Sequence, residues 1–375
     1  MTNIQSGPRV WASVTATAAA FAFCLSASAQ AADRLAAYLV DPAQVSVAGI
    51  SSGAFMANQL HIAHSADVMG AALVAGGLYG CAVQSVTSDG VLALATQATS
   101  ACMEVPFLLD DVATYKARIE ALAANGWIDP IANLPRSKVY LFTGASDTVV
   151  DSETVVEAAA LYEALGVPKD NIVLVDHTGP AAEAGHSWVT LSYGNACRLN
   201  KPPYIDDCDY DQAGEELKTL YGADLAPRAE KPEGRIVAFD QREFAPGGAT
   251  KANGLSDVGY LYVPKACEQG ASEPCRLQIV FHGCKQSAET LGDVFYTRIG
   301  VNEWADTNRI LVLYPQAHAT RPAELPPGLA VWGLLYANPE GCWNWWGYSD
   351  DRQYLTKKGV QIGAIWAMVE RIEGR

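Results

Sequence analysis

The stretch Gly49-Ile50-Ser51-Ser52-Gly53 decides the fold, and it has the pattern G-x-S-x-G. Residues 44–48 before it alternate like a half-buried strand, and residues 54–63 after it read as a helix. A serine at a sharp turn from strand to helix is a nucleophile elbow, in which small glycines let the turn close and leave the hydroxyl exposed. We therefore predict that Ser51 is a nucleophile. The alternative is an ordinary glycine-rich turn.

Strands alternate with helices along the rest of the chain, which predicts an α/β fold with a mostly parallel sheet. The predicted strands cover residues 70–77, 138–144, 171–176, 276–281 and 310–314, and the predicted helices cover residues 111–124, 152–165 and 359–372, with a further helical stretch up to residue 308. Together with the elbow, this order predicts an α/β-hydrolase fold. Since no repeat or linker divides the sequence, residues 32–375 are expected to form one catalytic domain, with residues 223–234 as a surface loop.

The first 31 residues are predicted to be a secretory signal peptide. Arg9 is their only charged residue, residues 10–25 are apolar, and small residues at cleavage spacing follow. Cleavage is expected after Ala31, with Ala29 as a close competitor. A membrane anchor is the alternative, although it needs a longer apolar span. We expect a secreted protein, extracellular or periplasmic, with no membrane span. The oligomeric state is open, and a monomer is the expectation.

The charge of the mature chain limits its partners. Without the leader, 25 basic against 41 acidic residues give a net charge of −16. Such a chain is repelled by nucleic acid and by anionic membranes. Nucleic acid is therefore not an expected partner.

The cysteine count predicts four disulfides. Cys24 leaves with the leader, and eight cysteines remain, an even number in an exported chain. The sequence does not choose among the possible connectivities, but local spacing suggests the pairs Cys81–Cys102, Cys197–Cys208 and Cys267–Cys275, which leaves Cys284 with Cys342. No C-x-x-C or H-x-x-x-H pair occurs, so no metal site is expected, and we expect no cofactor.

A hydrolase serine needs a base, and the base needs an acid that orients it. Asp147 comes just after the strand that ends near residue 143, which is where a triad acid belongs. It could instead be a helix N-cap or Asx-turn residue, and Asp151 is the fallback acid.

Two histidines compete for the role of base. His177 sits at the end of a strand, whereas His186 lies in the glycine-flanked loop beyond it and can reach back over Ser51. We therefore predict His186. His61 and His64 lie on the elbow helix and are expected to be structural.

The tetrahedral intermediate formed by such a serine needs two backbone donors. The first is expected to be the amide of Ser52, which follows the nucleophile. The second is expected to be the amide of Cys284, after the strand that ends in His282-Gly283. In the usual order that strand precedes the elbow, but here it follows even the histidine. The simplest account is a circular permutation, with the old termini joined near residues 223–234.

Tryptophans cluster near the C-terminus. Trp343, Trp345 and Trp346 lie in the non-periodic run 341–347, and Trp332 precedes them. Core packing is the plain interpretation, but tryptophans on a loop also suggest a contact platform for an apolar chain. A Cys284–Cys342 bond would place that platform beside the oxyanion loop.

On these motifs the chain resembles secreted poly(3-hydroxybutyrate) depolymerases. The resemblance is carried by residues 47–56, 75–81, 144–148, 260–264, 282–287, 304–308 and 341–345. It is greatest to the single-domain members, whose hydrolase fold is circularly permuted. It implies a Ser-Asp-His triad at Ser51, Asp147 and His186, with oxyanion amides at Ser52 and Cys284. It also implies contacts between tryptophan and polyester through Trp343, Trp345 or Trp346, and the run 75–81 adds Tyr79 as a candidate substrate contact.

The expected function is that of a serine esterase acting on a short-chain polyhydroxyalkanoate or its oligomers. Many members of the family carry a linker and a polymer-binding domain, whose sequence patterns are not found in these 375 residues, so adsorption to crystalline polymer is not expected. The loop before His186 also looks longer and acidic. Related chains hydrolyse poly(aspartic acid), so that polymer and small soluble esters are alternatives. A non-catalytic polymer-binding protein is a further one.

Overall fold

The elbow strand lies in the middle of the main sheet because the half that enters the elbow is apolar and buried on both faces. Residues 45–50 are almost completely buried. The computed structural model describes residues 1–3, 7, 32–83, 90–325, 328 and 333–375. Residues 32–375 form one compact unit.

The strands, in chain order, are β1 (Val40–Ile50), β2 (Val68–Val74), β3 (Lys138–Thr143), β4 (Ile172–Asp176), β5 (Trp188–Thr190), β6 (Asn195–Ala196), β7 (Ile205–Asp207), β8 (Arg235–Asp240), β9 (Val258–Val263), β10 (Cys275–Phe281) and β11 (Ile310–Tyr314). Within the described residues, eight of them form the main sheet in the order β4-β3-β2-β1-β10-β11-β9-β8. Neighbours from β4 to β11 are parallel, and the pairs β11–β9 and β9–β8 are antiparallel. The small sheet has the order β5-β7-β6.

The position of β10 reveals the permutation. This strand pairs with the elbow strand, with Ala48 opposite Val280 and Gly49 opposite Phe281, although it comes far later in the chain. The chain from β8 to β11 therefore supplies the half of the sheet that usually precedes the nucleophile, and β1 to β4 supply the half that usually follows. The predicted circularly permuted α/β-hydrolase fold is confirmed.

The α-helices are α1 (Ser52–Ala63), α2 (Val91–Thr99), α3 (Val112–Ala124), α4 (Ser152–Ala164), α5 (Gln212–Tyr221), α6 (Ala288–Leu291), α7 (Val294–Arg298), α8 (Val301–Thr307), α9 (Gly333–Tyr336) and α10 (Val360–Ile372). The helical stretch predicted before residue 308 is divided into α6, α7 and α8. Gly292 and Gly300 interrupt it because both have a positive φ. The strands of the small sheet have only two or three residues, too few for a recognisable alternation.

The four predicted disulfides are confirmed among the described residues: Cys81–Cys102, Cys197–Cys208, Cys267–Cys275 and Cys284–Cys342. The predicted leader, residues 1–31, falls outside the described residues apart from 1–3 and 7, and Trp332 also falls outside them. In the part of the chain that is described, no helix has the length and apolar character needed to cross a bilayer.

Candidate active site

Ser51 occupies a strained turn between β1 and α1. Its φ of 55° and ψ of −125° are unfavourable for a residue with a Cβ, and its N–H donates to the carbonyl of Val74 at 2.9 Å. A Cβ on Gly53 would lie 2.4 Å from the carbonyl oxygens of Phe281 and His282, so only glycine lets α1 pack this closely on β10. The G-x-S-x-G pattern therefore follows from the geometry of the turn.

Asp147 lies in the acid turn (residues 144–148), directly after β3. The two oxygens of its carboxylate accept hydrogen bonds from different partners. One oxygen, Oδ1, accepts the N–H groups of Val149 and Val150 at 2.8 and 2.9 Å, and the other, Oδ2, accepts Nδ1–H of His186 at 2.8 Å. The Asx-turn interpretation and the pairing with His186 thus both describe this residue. Asp151 instead caps α4 by accepting the N–H of Glu153.

His186 lies at the end of the base loop (residues 177–187) and is buried, with 5% of its side chain exposed. Its Nδ1 faces Asp147, which leaves Nε2 available to a hydroxyl. His177 is 41% exposed and lies 3.5 Å from its own neighbour, Asp176.

His61 in α1 and His64, which directly follows the helix, are structural, as their spacing predicts. Both ring nitrogens of His61 bond to buried hydroxyls, of Tyr162 and Ser137. His64 stacks on Trp366 at a centroid distance of 4.0 Å. Burial lowers the pKa of each ring to about 3, so both are neutral at ordinary pH.

The oxyanion loop (residues 282–287) lies directly against the elbow. A Cβ on Gly283 would be 3.2 Å from the Cβ of Ser51. Gln286 accepts the N–H of Gly283 at 2.7 Å and donates to the carbonyls of Pro203 and Tyr204. Gln286 therefore ties the oxyanion loop to the chain that follows the base loop.

His282 fixes the start of the oxyanion loop. It accepts the N–H of Ala317 through Nε2 at 3.0 Å, so its proton is on Nδ1 and donates to the carbonyl of Gly283 at 2.7 Å. Burial lowers its pKa to about 4, which keeps this neutral form in place.

A cavity of about 410 Å³ opens over these groups. Ser51, Ser52, His186 and Cys284 line it. Apolar side chains line much of it, namely Phe55, Ala95, Ala98, Met103, Val149, Val150, Trp345 and Trp346. Polar side chains of Tyr204, Lys285, Gln286 and Glu340 also line it. A serine and a histidine bonded to a carboxylate thus line one largely apolar cavity, an arrangement suited to acyl transfer.

Comparison with known proteins identifies the family. A poly(3-hydroxybutyrate) depolymerase of Delftia acidovorans is 40% identical over 359 residues, or 95% of this chain, and the chain spans 65% of that relative's length. A polyhydroxybutyrate depolymerase of Talaromyces funiculosus is 36% identical over 360 residues, which cover 94% of this chain and 96% of the relative. The chain belongs to the polyhydroxybutyrate depolymerase family. No family model matches it.

Two solved structures of the family are also similar. The crystal structure of the PHB depolymerase from Penicillium funiculosum is 33% identical with a TM-score of 0.72, and a serine-to-alanine variant of a PHB depolymerase in complex with an R3HB trimer is 32% identical with a TM-score of 0.73. Each alignment covers 91% of this chain and 99% of the other.

The structure corrects two of the four substrate contacts predicted from the depolymerase resemblance. Trp343 is completely buried, its ring packs edge-on against Phe281, and its Nε1–H donates to the carbonyl of His282 at 2.9 Å. Tyr79 is also buried, and its hydroxyl donates to the carbonyl of Leu355. Neither side chain lines the cavity, because each is already used within the core.

Trp345 and Trp346 do line the cavity of this depolymerase-family chain. Trp345 is 5% exposed and stacks on Phe55 at a centroid distance of 4.1 Å. Trp346 is partly buried and meets Trp345 edge-on at 5.5 Å. Sequence reasoning missed Phe55, although its place in the first turn of the elbow helix was a usable signal. It also missed Asn200 and Gln286, whose partners are distant in sequence.

Among the residues that the structure describes, no group of three His, Cys, Asp or Glu side chains is arranged to hold a metal ion.

Proposed function

We propose that this chain is an exported serine esterase that hydrolyses short-chain polyhydroxyalkanoate, such as poly(3-hydroxybutyrate), or its oligomers. One observation carries the proposal. His186 donates to Asp147 at 2.8 Å and lines, together with Ser51, a largely apolar cavity that Trp345 and Trp346 also line.

The first half of the reaction forms an acyl-enzyme. The Oγ of Ser51 attacks the ester carbonyl while its proton passes to Nε2 of His186. Asp147 holds Nδ1–H of the ring, so that Nε2 is the basic nitrogen and the charged ring is stabilised. Collapse of the tetrahedral intermediate breaks the ester bond, and the alcohol leaves with the proton from His186.

The second half releases the acid. Water attacks the acyl group on Ser51 and gives a proton to His186, which returns it to Ser51 as the acid departs. In both halves the negative charge on the carbonyl oxygen is stabilised by the N–H groups of Ser52 and Cys284. Both residues line the cavity, and the Cys284–Cys342 disulfide holds the second one in place.

The apolar side chains that line the cavity support a polyester as the substrate. The rings of Trp345 and Trp346, with Phe55 and Met103, suit an aliphatic chain that carries methyl groups and no charge. The printed names of the relatives point to the same polymer. Poly(aspartic acid) is polyanionic, and the chain itself carries a large negative charge.

Export is part of the proposal. The sequence of residues 1–31 has the features of a signal peptide, and four disulfides fit an oxidising compartment. Residues 32–375 would then be the mature catalytic domain, acting without a cofactor and with the polymer as its partner.

Turbidity clearing tests the function. Mature wild-type protein is expected to clear a poly(3-hydroxybutyrate) suspension and to cleave a short p-nitrophenyl ester, while Ser51→Ala does neither. A poly(aspartic acid) digest is run in parallel. Digestion of that polymer without clearing would reassign the substrate, and cleavage of the nitrophenyl ester alone would indicate an esterase for soluble substrates. Binding to the suspension with no ester cleavage at all would overturn the enzymatic assignment.

A further inference from the structure

We infer that Asn200 is a positioning residue that holds the acid turn and the base loop in catalytic register. Its side chain makes three hydrogen bonds, and their partners lie on both sides of Asp147 and at His186 itself. This inference rests on the proposed roles of Asp147 and His186.

The three bonds use both ends of the amide. Oδ1 of Asn200 accepts the N–H of His186 at 2.7 Å and the N–H of Thr148 at 3.1 Å. Nδ2 donates to the carbonyl of Ser146 at 2.8 Å. A side chain that must both accept and donate at one place is well served by a primary amide, whereas a hydroxyl is too short and a carboxylate lacks the donor.

Asn200 is itself firmly held by the bracing loop (residues 195–201). The Cys197–Cys208 disulfide ties this loop to the residue that follows β7, and the carbonyl of Cys197 accepts the N–H of Gly185 at 2.8 Å. Asn195 bonds to the carbonyl of Lys201 at 3.0 Å and to the buried carboxylate of Asp206 at 3.2 Å. The loop is therefore an anchored support for the residue that contacts His186.

The backbone hydrogen bonds that join the acid turn directly to the base loop cannot substitute for those of Asn200. The N–H groups of Ala145 and Ser146 donate to the carbonyls of Ala182 and Ala184 at 2.8 and 3.0 Å. These bonds reach the base loop before His186, so they leave the backbone of His186 free to shift relative to Thr148. The bonds of Asn200 restrain both of these residues.

Loss of this restraint affects the rate more than binding. Asn200 is outside the lining of the cavity, so it makes no contact there with a bound ester. A displacement of about 1 Å in a catalytic group can cost about 100-fold in rate. We expect Asn200→Ala to lower kcat for a p-nitrophenyl ester about 10- to 100-fold and to leave KM within about twofold.

The experiment first compares three variants with the wild type. Asn200→Ala removes all three bonds, and Asn200→Asp keeps the two accepted ones, so its kcat should fall between those of Asn200→Ala and the wild type. Asn125→Ala is the matched control, because its amide donates to the carbonyl of Ala121 at the end of α3, and neither residue lines the cavity. Its kcat should equal that of the wild type.

A double variant separates positioning from general damage. In a His186→Ala background the residual activity depends on the oxyanion amides and on binding. If Asn200 acts through His186, adding Asn200→Ala there should change the residual rate less than about twofold. An equal loss in both backgrounds, or an unchanged kcat in both Asn200 variants, would overturn the inference. Should Ser51→Ala keep its activity, the proposed function fails instead, and that outcome is distinct.

Discussion

Two groups of residues around the cavity are held in place by different means. On the acid–base side, Asp147 and His186 are placed by hydrogen bonds, with three further bonds from Asn200. On the tryptophan side, the tryptophan segment (residues 341–347) also makes hydrogen bonds, but ring packing, the Cys284–Cys342 disulfide and burial of Trp343 are added to them.

Substitutions on the two sides should therefore have different effects. Hydrogen bonds fix directions and short distances, which proton transfer requires, so small changes on the acid–base side should alter the rate. Packing fixes volume and shape, so changes on the tryptophan side should alter either stability or the fit of the polymer. Four predictions test this division, from the largest expected effect to the smallest.

The largest effect is expected at the elbow. Ser51→Ala should lower kcat/KM for a p-nitrophenyl ester about 10⁴-fold or more, because it removes the nucleophile. Ser52→Ala is the matched control. It keeps the backbone amide and loses a 3.3 Å hydrogen bond from the N–H of Trp343, so much of the activity should remain. If Ser52→Ala were the inactive variant, the nucleophile would be misassigned.

The second prediction concerns Trp343. Trp343→Ala should lower the free energy of unfolding by about 3–5 kcal/mol, because it leaves a large cavity beside Phe281 and His282. Thermal unfolding measures this loss. At a temperature where the variant is folded, its preference for oligomers over a short ester should match that of the wild type. A stable variant that selectively loses oligomer cleavage would restore Trp343 as a substrate contact.

The third prediction concerns Trp346, which lines the cavity and is less buried than Trp343. Trp346→Ala should remove a polymer contact worth about 1.5–3 kcal/mol, which lowers kcat/KM for hydroxybutyrate oligomers about 10- to 150-fold. Cleavage of a short p-nitrophenyl ester should change little. Trp127 is 42% exposed and lies outside the cavity lining, so Trp127→Ala is the matched control. Equal losses on both substrates would mean that Trp346 is structural.

The smallest effect is a pH dependence of stability on the tryptophan side. The ring of His318 bonds to Glu289 at 2.6 Å and to Glu324 at 3.1 Å, and Lys251 is the nearby cation. The carbonyl of His318 accepts Nδ2–H of Asn338, which also donates to the carbonyl of Cys342 in the tryptophan segment. The hydrogen bond to Glu289 raises the pKa of His318 above 6.5. The stability that protonated His318 contributes is therefore fully present below about pH 6.5, and it is lost as the pH rises through the pKa of His318 in the folded protein.

The measurement is the melting temperature of the wild type and of His318→Gln at several pH values. Burial alone would raise the pKa of Glu289, but hydrogen bonds from His318 and Ser256 lower it overall, so its contribution is lost in acid. The wild type should be more stable by about 1–2 kcal/mol between about pH 4.5 and 6.5, and this advantage should shrink towards pH 9. If the difference in melting temperature between the two proteins did not vary with pH, the charge of His318 would contribute nothing to stability.

Much of the acid–base side follows from local patterns. Ser51, Asp147 and the loop that carries His186 all come just after strands of one parallel sheet, and the carboxyl ends of such strands meet at one edge. The permuted strand order was also predictable, because the His-Gly strand came after the elbow. The choice of His186 over His177 needed only the length of loop required to reach back.

On the tryptophan side, local sequence patterns do not predict which side chains reach the cavity. The run 341–347 has no periodicity, so nothing in it distinguishes the buried Trp343 from the cavity-lining Trp345 and Trp346. Their environments are set by Phe55, Phe281 and His282, which lie far away in the chain.

The hydrolase fold, its permutation, the number of disulfides and the group of residues at the carboxyl edge of the sheet could thus be predicted from the sequence. These features depend on turns, strand order and the count and spacing of residues, all of which can be read along the chain. Only the tertiary structure showed which tryptophans face the cavity and which side-chain amide accepts the N–H of His186. Asn200 and Ser146 are 54 residues apart, and only the folded backbone brings them within hydrogen-bonding distance.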